Sequence, residues 1–200
     1  MADTFVETVS GRRFDFDRPT LNRVWMPDVA HALSQQCRFA GHTAHFYSVA
    51  QHCLNVRGAV GGRNATPALQ IAALLHDAAE AFVCDLPSPV KHRAGIEGYR
   101  ELDHKVTLAV VNSLYLRCED AELVCGLIRS PEMKQADIAV TLAERAALLR
   151  HNHANRWEYD ALDIRPASID ADPMAPGDVC ETYLRRLRNA LSALRGEEGL

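Results

Sequence analysis

The chain has no CxxC pair: its six cysteines, at positions 37, 53, 84, 118, 125 and 180, are scattered through 200 residues. That spacing excludes a dense disulfide framework and a Cys-type zinc ribbon, and it reads as ordinary thiols of a reducing compartment. Long apolar runs are missing too. The longest, IAALL at 71–75, is far short of the roughly 20 residues of a membrane-spanning helix. Positive charge is not in excess: a net charge of -4 and a pI near 6.1 give no basic field for a nucleic-acid polymer. HExxH is absent, which removes the zincin proteases. The opening MADTFVETVSGRRFDF lacks the charged-then-apolar layout of a signal peptide. No internal repeat or low-complexity tract is present. A cytoplasmic protein with no membrane partner is the expectation.

With 48% apolar residues, the chain is ordered and long enough to bury one sizeable core. The patterns predict an all-α fold with a small N-terminal β-hairpin in one domain spanning 1–200, with a core at about 25–150 and a C-terminal helical extension at about 176–195. Ser10-Gly11, between apolar residues, is the hairpin turn. Pro27 opens a helix over PDVAHALSQQ. A second helix, from about Phe46 to Val60, carries the stripe Phe46, Val49, Cys53, Val56, Val60 and stops at Gly61-Gly62. Thr66-Pro67 reads as N-cap and first-turn proline of a helix running through Phe82. Further helices are expected at about Glu97–Tyr115, Asp120–Arg129, Glu132–Arg150 and Asp178–Leu194. Residues 151–175, with Pro166, Pro173 and many aspartates, read as an irregular excursion, and the final GEEGL as a fraying tail.

The chemistry gathers in LLHDAAEAFVCDLPSPVK, residues 74–91. At about 100° per residue, Asp77 lies about 100° and Glu80 about 40° from His76, so all three share one quadrant. Imidazole and carboxylate on adjacent positions can ligate a divalent metal, and a carboxylate one turn on can address a water. The same residues also fit a solvated polar helix end. His52 borders the apolar stripe of its helix, as a core-edge histidine or a ligand. Asp137 interrupts the apolar run of MKQADIAVTLAE, and aspartate is rarely buried unpaired. Lys134, Asp137 and Thr141 form a polar strip that reaches Glu144, which also fits a local Lys-Asp pair. His42 and His45 read as surface-loop residues, Trp25 and Trp157 as packing residues, and Arg185, Arg186 and Arg188 as a wet helix face.

The order His52 … His76-Asp77 … Asp137 resembles the H…HD…D signature of the HD-domain metal-dependent phosphohydrolases. HDAAEAFVCDLPSPVK followed by MKQAD, with CRFAGH and FYSVAQH upstream, is similar to their YfbR-like 5′-deoxynucleotidase and phage-type dATP triphosphohydrolase branch, over roughly residues 8–150. The resemblance implies an HD-type helical bundle with His52, His76, Asp77 and Asp137 as metal ligands. It implies Glu80 as the residue that positions or activates the attacking water, and Asp85 as a second catalytic acid. Arg38 matches an arginine that grips phosphate, Lys91 and Lys134 match phosphate-holding lysines, and Phe39 stands where relatives often have Trp beside the nucleoside. The implied cofactor is one divalent transition metal (Co, Mn, Zn, Ni or Fe), with further divalent ions brought by substrate phosphates. A mixed N/O ligand set without thiolate suits those metals. The implied partner is a small nucleotide, and homo-oligomers are the rule among relatives. His92 and His104 do not match the extra ligands of binuclear members.

The expected activity is hydrolysis of the 5′ phosphoester of a deoxynucleotide, by water, releasing nucleoside with phosphate or triphosphate. Two alternatives are hydrolysis of another nucleotide such as ppGpp, and a helical module that binds metal or nucleotide without turnover. The cyclic-dinucleotide branch carries a GYP motif, where this chain has only GYR at 98–100.

Overall fold

A computed structural model describes residues 4–91, 93, 96, 98–150 and 154–196. His92, the expected helix start at Glu97 and the tail after Gly196 lie outside the described residues. The all-α expectation holds, with the small hairpin in place: β1 (Phe5–Glu7) pairs antiparallel with β2 (Arg13–Asp15). Gly11, at φ 77°, supplies the left-handed turn residue. Thr8 and Ser10 each donate a hydroxyl to Asp28 Oδ2 at 2.7 Å, which fixes the hairpin to α1 (Met26–Gln35).

Eight further helices follow among the described residues: α2 (Val49–Ala59), α3 (Pro67–Leu75), α4 (Glu80–Val83), α5 (Ser88–Lys91), α6 (Tyr99–Asn112), α7 (Cys118–Ile128), α8 (Pro131–Leu148) and α9 (Pro176–Arg195). α3 is the hub, with α2, α7 and α9 packed around it. Ala68, Leu69 and Ile71–Leu75 are all buried, as expected of a helix apolar on every side. α9 also packs on α1 and sinks Val179, Tyr183, Leu187 and Ala190 into the same core. The core therefore reaches well beyond residue 150, and α9 closes it. A smaller cluster of Phe14, Ala79, Val106 and Ala109 backs the turn between α3 and α4, with Phe14 stacked on Phe82 at 4.1 Å. No helix among the described residues is long and apolar enough to cross a membrane.

Two helices differ from the periodicity. α2 starts at Val49, because Ser48 and Gln51 form a reciprocal capping box that satisfies the first free N–H groups; Phe46 stays outside the helix and is 39% exposed. The helix expected to run through Phe82 ends at Leu75 instead. Residues 76–79 wind more tightly, with Ala78 N–H donating to Leu75 C=O and Glu80 N–H to Asp77 C=O, both at 3.0 Å. The displaced carbonyls find side chains: His76 Nδ1 meets Ala73 C=O at 2.9 Å, and the Tyr183 hydroxyl donates to Leu74 C=O. With about three residues per turn in such a stretch, positions i and i+3 eclipse, so Asp77 and Glu80 still fall on one side.

Tyr183→Phe is expected to cost about 1–3 kcal/mol, since it leaves a buried carbonyl unpaired. Urea unfolding should report it as a lower midpoint with an unchanged slope.

Candidate metal centre and its surroundings

Three elements deliver the ligand atoms. α2 presents His52 from inside the core, fully buried; the α3–α4 turn presents His76 and Asp77; α8 presents Asp137. His52 Nε2 lies 3.2 Å from His76 Nε2, 3.3 Å from Asp137 Oδ1 and 3.6 Å from Asp77 Oδ2. His76 Nε2 is 3.3 Å from Asp77 Oδ2. His52, His76 and Asp137 form a group that could hold a metal ion.

The other ring nitrogens fix the tautomers. His52 Nδ1 sits 2.8 Å from Glu144 Oε1, and His76 Nδ1 faces a backbone carbonyl. Both partners only accept, so each Nδ1 carries the proton. In the neutral rings the two Nε2 lone pairs then point at each other and at two carboxylates. Four acceptor atoms then lie close together with no donor among them, an arrangement that either a cation or protonation of the rings must satisfy. Metal–ligand bonds of about 2.0–2.2 Å place neighbouring ligand atoms about 3 Å apart, close to the separations seen.

Electrostatics give the same reading. Burial and Arg38 push the His52 pKa down, yet Glu144 and Asp137 overcome them and it ends above its ordinary value. His76 is likewise raised, with Asp77 outweighing its burial. Burial favours the neutral form of Asp77 and Asp137, but the two imidazoles hold both carboxyls well below the usual range. Without metal, the two imidazolium charges take the cation's place. Metal binding must release those protons, so affinity is expected to fall as pH drops through the raised imidazole values, which lie above the ordinary histidine value of about 6.5. Calorimetric titration of Mn²⁺ in buffers of different ionisation heat reads the protons released; an affinity independent of pH would contradict this protonation scheme.

Cys53, next to His52, forms a second group with His76 and Asp77 that could hold a metal. It is fully buried, and burial pushes its thiol pKa up, which works against the thiolate form a metal needs. The histidine–aspartate set is the better cation site.

The remaining residues singled out in the sequence surround this centre. Glu80 is 3% exposed, receives Lys91 Nζ at 3.1 Å on Oε1, and has no hydrogen-bond partner for Oε2 among the described residues. Burial, then Asp77 and Asp85, raise its pKa well above the carboxylate range. Arg38 Nη1 lies 3.3 Å from Asp85 Oδ2 and 4.0 Å from Asp77 Oδ2, with Nη2 3.5 Å from Glu144 Oε2. Lys134 Nζ holds Asp137 Oδ2 at 3.1 Å, leaving Oδ1 turned to His52. Phe39 stays at the rim, under Arg38 and 6.1 Å from the Trp157 ring. Phe39, Ala40 and Gly41 all have positive φ, at 53°, 52° and 80°, and this left-handed turn reverses the chain directly after Arg38. Two consecutive non-glycine residues there cost about 1–2 kcal/mol each, strain of the kind held at functional sites.

Other positions behave more plainly. His45 bonds Ala171 C=O at 2.9 Å, tying the loop to the C-terminal segment. Trp25 is 45% exposed beneath Arg12, and Trp157 packs between Arg145 and Phe39. His104 belongs to neither metal-competent group among the described residues.

Three supporting residues were not assigned roles from the sequence. Glu144, the far end of the polar strip, orients His52 and also accepts the Tyr47 hydroxyl at 2.9 Å. Tyr47, expected inside the second helix, has no charge to mark it. Gln36 bridges the Arg38 loop to the acidic turn, donating to Glu80 C=O at 2.8 Å and accepting from Asp85 N–H at 3.3 Å. Of these, only Glu144 carried a sequence signal, a charge on the buried face of α8.

Fold and site together define an all-α protein with a candidate metal centre of His52, His76 and Asp137, with Asp77 beside it. No protein-family model matches the chain. It is 33% identical over 196 residues to the uncharacterized protein YfdR of Escherichia coli, covering 96% of this chain and 98% of that one. It is 41% identical over 108 residues to an uncharacterized protein of Rhodobacter capsulatus, covering 51% of this chain and 54% of that protein. The chain belongs to the family of YfdR.

Proposed function

We propose that the protein is a metal-dependent phosphohydrolase of the HD type, hydrolysing the 5′ phosphoester of a deoxynucleotide. The observation that carries this reading is the convergence of four acceptor atoms from His52, His76, Asp77 and Asp137, with a buried, half-unpaired Glu80 close by. The donor set suits Mn, Co, Ni, Fe or Zn. When bound, such an ion supplies a Lewis acid that polarises a phosphoryl oxygen and acidifies water.

The chain's own residues do the rest. Glu80, with its raised pKa, takes a proton from water more readily than an ordinary carboxylate. Lys91 holds one Glu80 oxygen and leaves the other free to meet the water. Arg38 offers a planar guanidinium to the phosphate, held in place by Asp85 and Glu144. Asp85 thereby acts on the phosphate grip and stands close enough to Arg38 to exchange it for substrate. Around the centre stand five carboxylates (Asp77, Glu80, Asp85, Asp137, Glu144) against three paired cations (Arg38, Lys91, Lys134). A divalent ion cancels the excess and lets an anionic substrate approach.

The test incubates the protein with each dNMP and dNTP under Co, Mn, Mg and Zn, with chromatography of the products. Nucleoside with phosphate or triphosphate is the expected result. Pyrophosphate leaving a dNTP, with the monophosphate remaining, would sink 5′-ester cleavage. Asp77→Ala should lose both metal and activity.

A further inference from the structure

Beside the ligand cluster, the turn between α7 and α8 borders an open cavity of about 230 Å³ lined by His76, Arg129, Ser130, Lys134 and Asp137, with Ile128 and Met133 as its apolar wall. Two of its walls are therefore candidate metal ligands, so whatever fills it lies within reach of the metal. Its size is below the 300–1,000 Å³ typical of a pocket that takes a whole drug-sized ligand, and no aromatic ring but His76 lines it for a base to stack on. Apart from the candidate ligands His76 and Asp137, its polar side chains are donors. Ser130 Oγ accepts Met133 N–H at 3.1 Å, which leaves its own proton to give. Lys134 contributes an ammonium that Asp137 holds in place.

Arg129 is the unusual member. Arg38, Lys91 and Lys134 are each bound to a carboxylate of the site. Among the described residues no carboxylate pairs with Arg129, an exposed side chain on the cavity wall. With a divalent ion the charge of the centre is already balanced, so every further phosphoryl group adds charge that needs a new cation. A small cavity rich in donors, open to the metal and carrying an uncommitted guanidinium, fits phosphoryl oxygens rather than a nucleoside.

We propose that this cavity is a subsite for the terminal phosphoryl groups of a nucleoside triphosphate, and that Arg129 is the residue that favours triphosphate over monophosphate. The proposal rests on the phosphohydrolase reading above for its catalytic half only. The test compares the manganese-loaded full chain with Arg129→Ala and Arg129→Lys. The first readout is kcat/KM on each dNTP and its matching dNMP. The second, independent of turnover, is thermal stabilisation by inorganic tripolyphosphate against orthophosphate in the same manganese buffer.

Losing one charge-assisted contact should lower the triphosphate-to-monophosphate ratio of kcat/KM about tenfold in Arg129→Ala, through KM, with partial rescue by lysine. Stabilisation by tripolyphosphate should shrink in parallel. An unchanged ratio, or an equal loss on both substrates with tripolyphosphate binding intact, overturns the subsite while the phosphohydrolase reading stands. If the wild-type chain hydrolyses no nucleotide yet its tripolyphosphate binding depends on Arg129, the subsite stands and the proposed activity falls.

Discussion

Replacing Glu80 by glutamine is expected to lower turnover by about 10²–10⁴-fold, the range typical for loss of a general base, while the protein still binds its metal. Glutamine keeps the shape of the side chain and an oxygen for Lys91 Nζ, now 3.1 Å from Oε1, but it cannot accept a proton. None of the four converging ligand atoms belongs to residue 80, so calorimetric metal affinity should change little. Stability should move the other way from activity. Burial and the neighbouring Asp77 and Asp85 raise the folded-state pKa of Glu80 above its unfolded value of about 4.3. A raised folded pKa means that Glu80 favours folding fully below the unfolded value, and that this contribution is lost as pH rises through the folded value. Above that folded value the metal-free wild type therefore carries a buried carboxylate, paired only through Lys91 on one oxygen, that glutamine removes. Each 1 kcal/mol regained would appear as roughly 2–4 °C in Tm, with the difference shrinking toward about pH 4. Scanning calorimetry of the metal-free proteins at both ends of that range checks the sign. Turnover by Glu80→Gln equal to wild type would remove Glu80 from the chemistry, whatever its stability.

The opposed effects follow from how the site is assembled, and parts of that assembly were readable in the residues alone. Thr66-Pro67 announced the start of α3, and Thr66 Oγ1 does accept Leu69 N–H at 3.3 Å. The residues of the H…HD…D pattern meet within hydrogen-bonding distance although 85 positions separate His52 from Asp137. Their types carry the signal: an aspartate inside an apolar helical run has few reasons to be there. The break after Leu75 was not readable, since residues 68–83 contain neither Gly nor Pro and the apolar pattern runs straight through. What ends the helix is a side chain taking a backbone acceptor, His76 on Ala73, together with a hydroxyl supplied by Tyr183 from α9. Local propensity cannot report a partner 109 positions away. The same limit applies to Arg38. Its role is one the resemblance implies, and its direction depends on three left-handed residues, of which only Gly41 advertises that conformation.

Removing Glu144 should weaken metal binding about 10–100-fold, although Glu144 is not among the ligands, because partners that orient a ligating histidine typically carry that weight. Glu144 is fully buried and receives three groups. They are His52 Nδ1 at 2.8 Å, the Tyr47 hydroxyl at 2.9 Å and Arg38 Nη2 at 3.5 Å. Asn55 extends the chain, donating to the Tyr47 oxygen at 2.7 Å and to Asp170 C=O at 2.9 Å, so one carboxylate links the metal centre to the C-terminal segment. Glu144→Ala leaves a buried imidazole without its partner and the buried Arg38 guanidinium with Asp85 and the more distant Asp77 close by, a change that costs about 3–5 kcal/mol in comparable buried pairs. Burial alone would raise the Glu144 pKa, but His52 and Arg38 outweigh it and hold the carboxyl below its ordinary value. A depressed folded pKa contributes stability above the unfolded value of about 4.3 that is lost as pH falls through the folded one. The alanine variant's deficit in urea unfolding should therefore be largest near neutrality and fade in acid. Glu144→Gln separates the two roles: its amide oxygen still accepts from Nδ1 and the shape is kept, so the fold should survive while the charge that favours the Nδ1-protonated ring is gone. Metal affinity of the glutamine variant equal to wild type would mean that His52 is held by packing alone. A loss within the expected range would show that Glu144 supports the centre through His52 while the proposed ligands hold the ion.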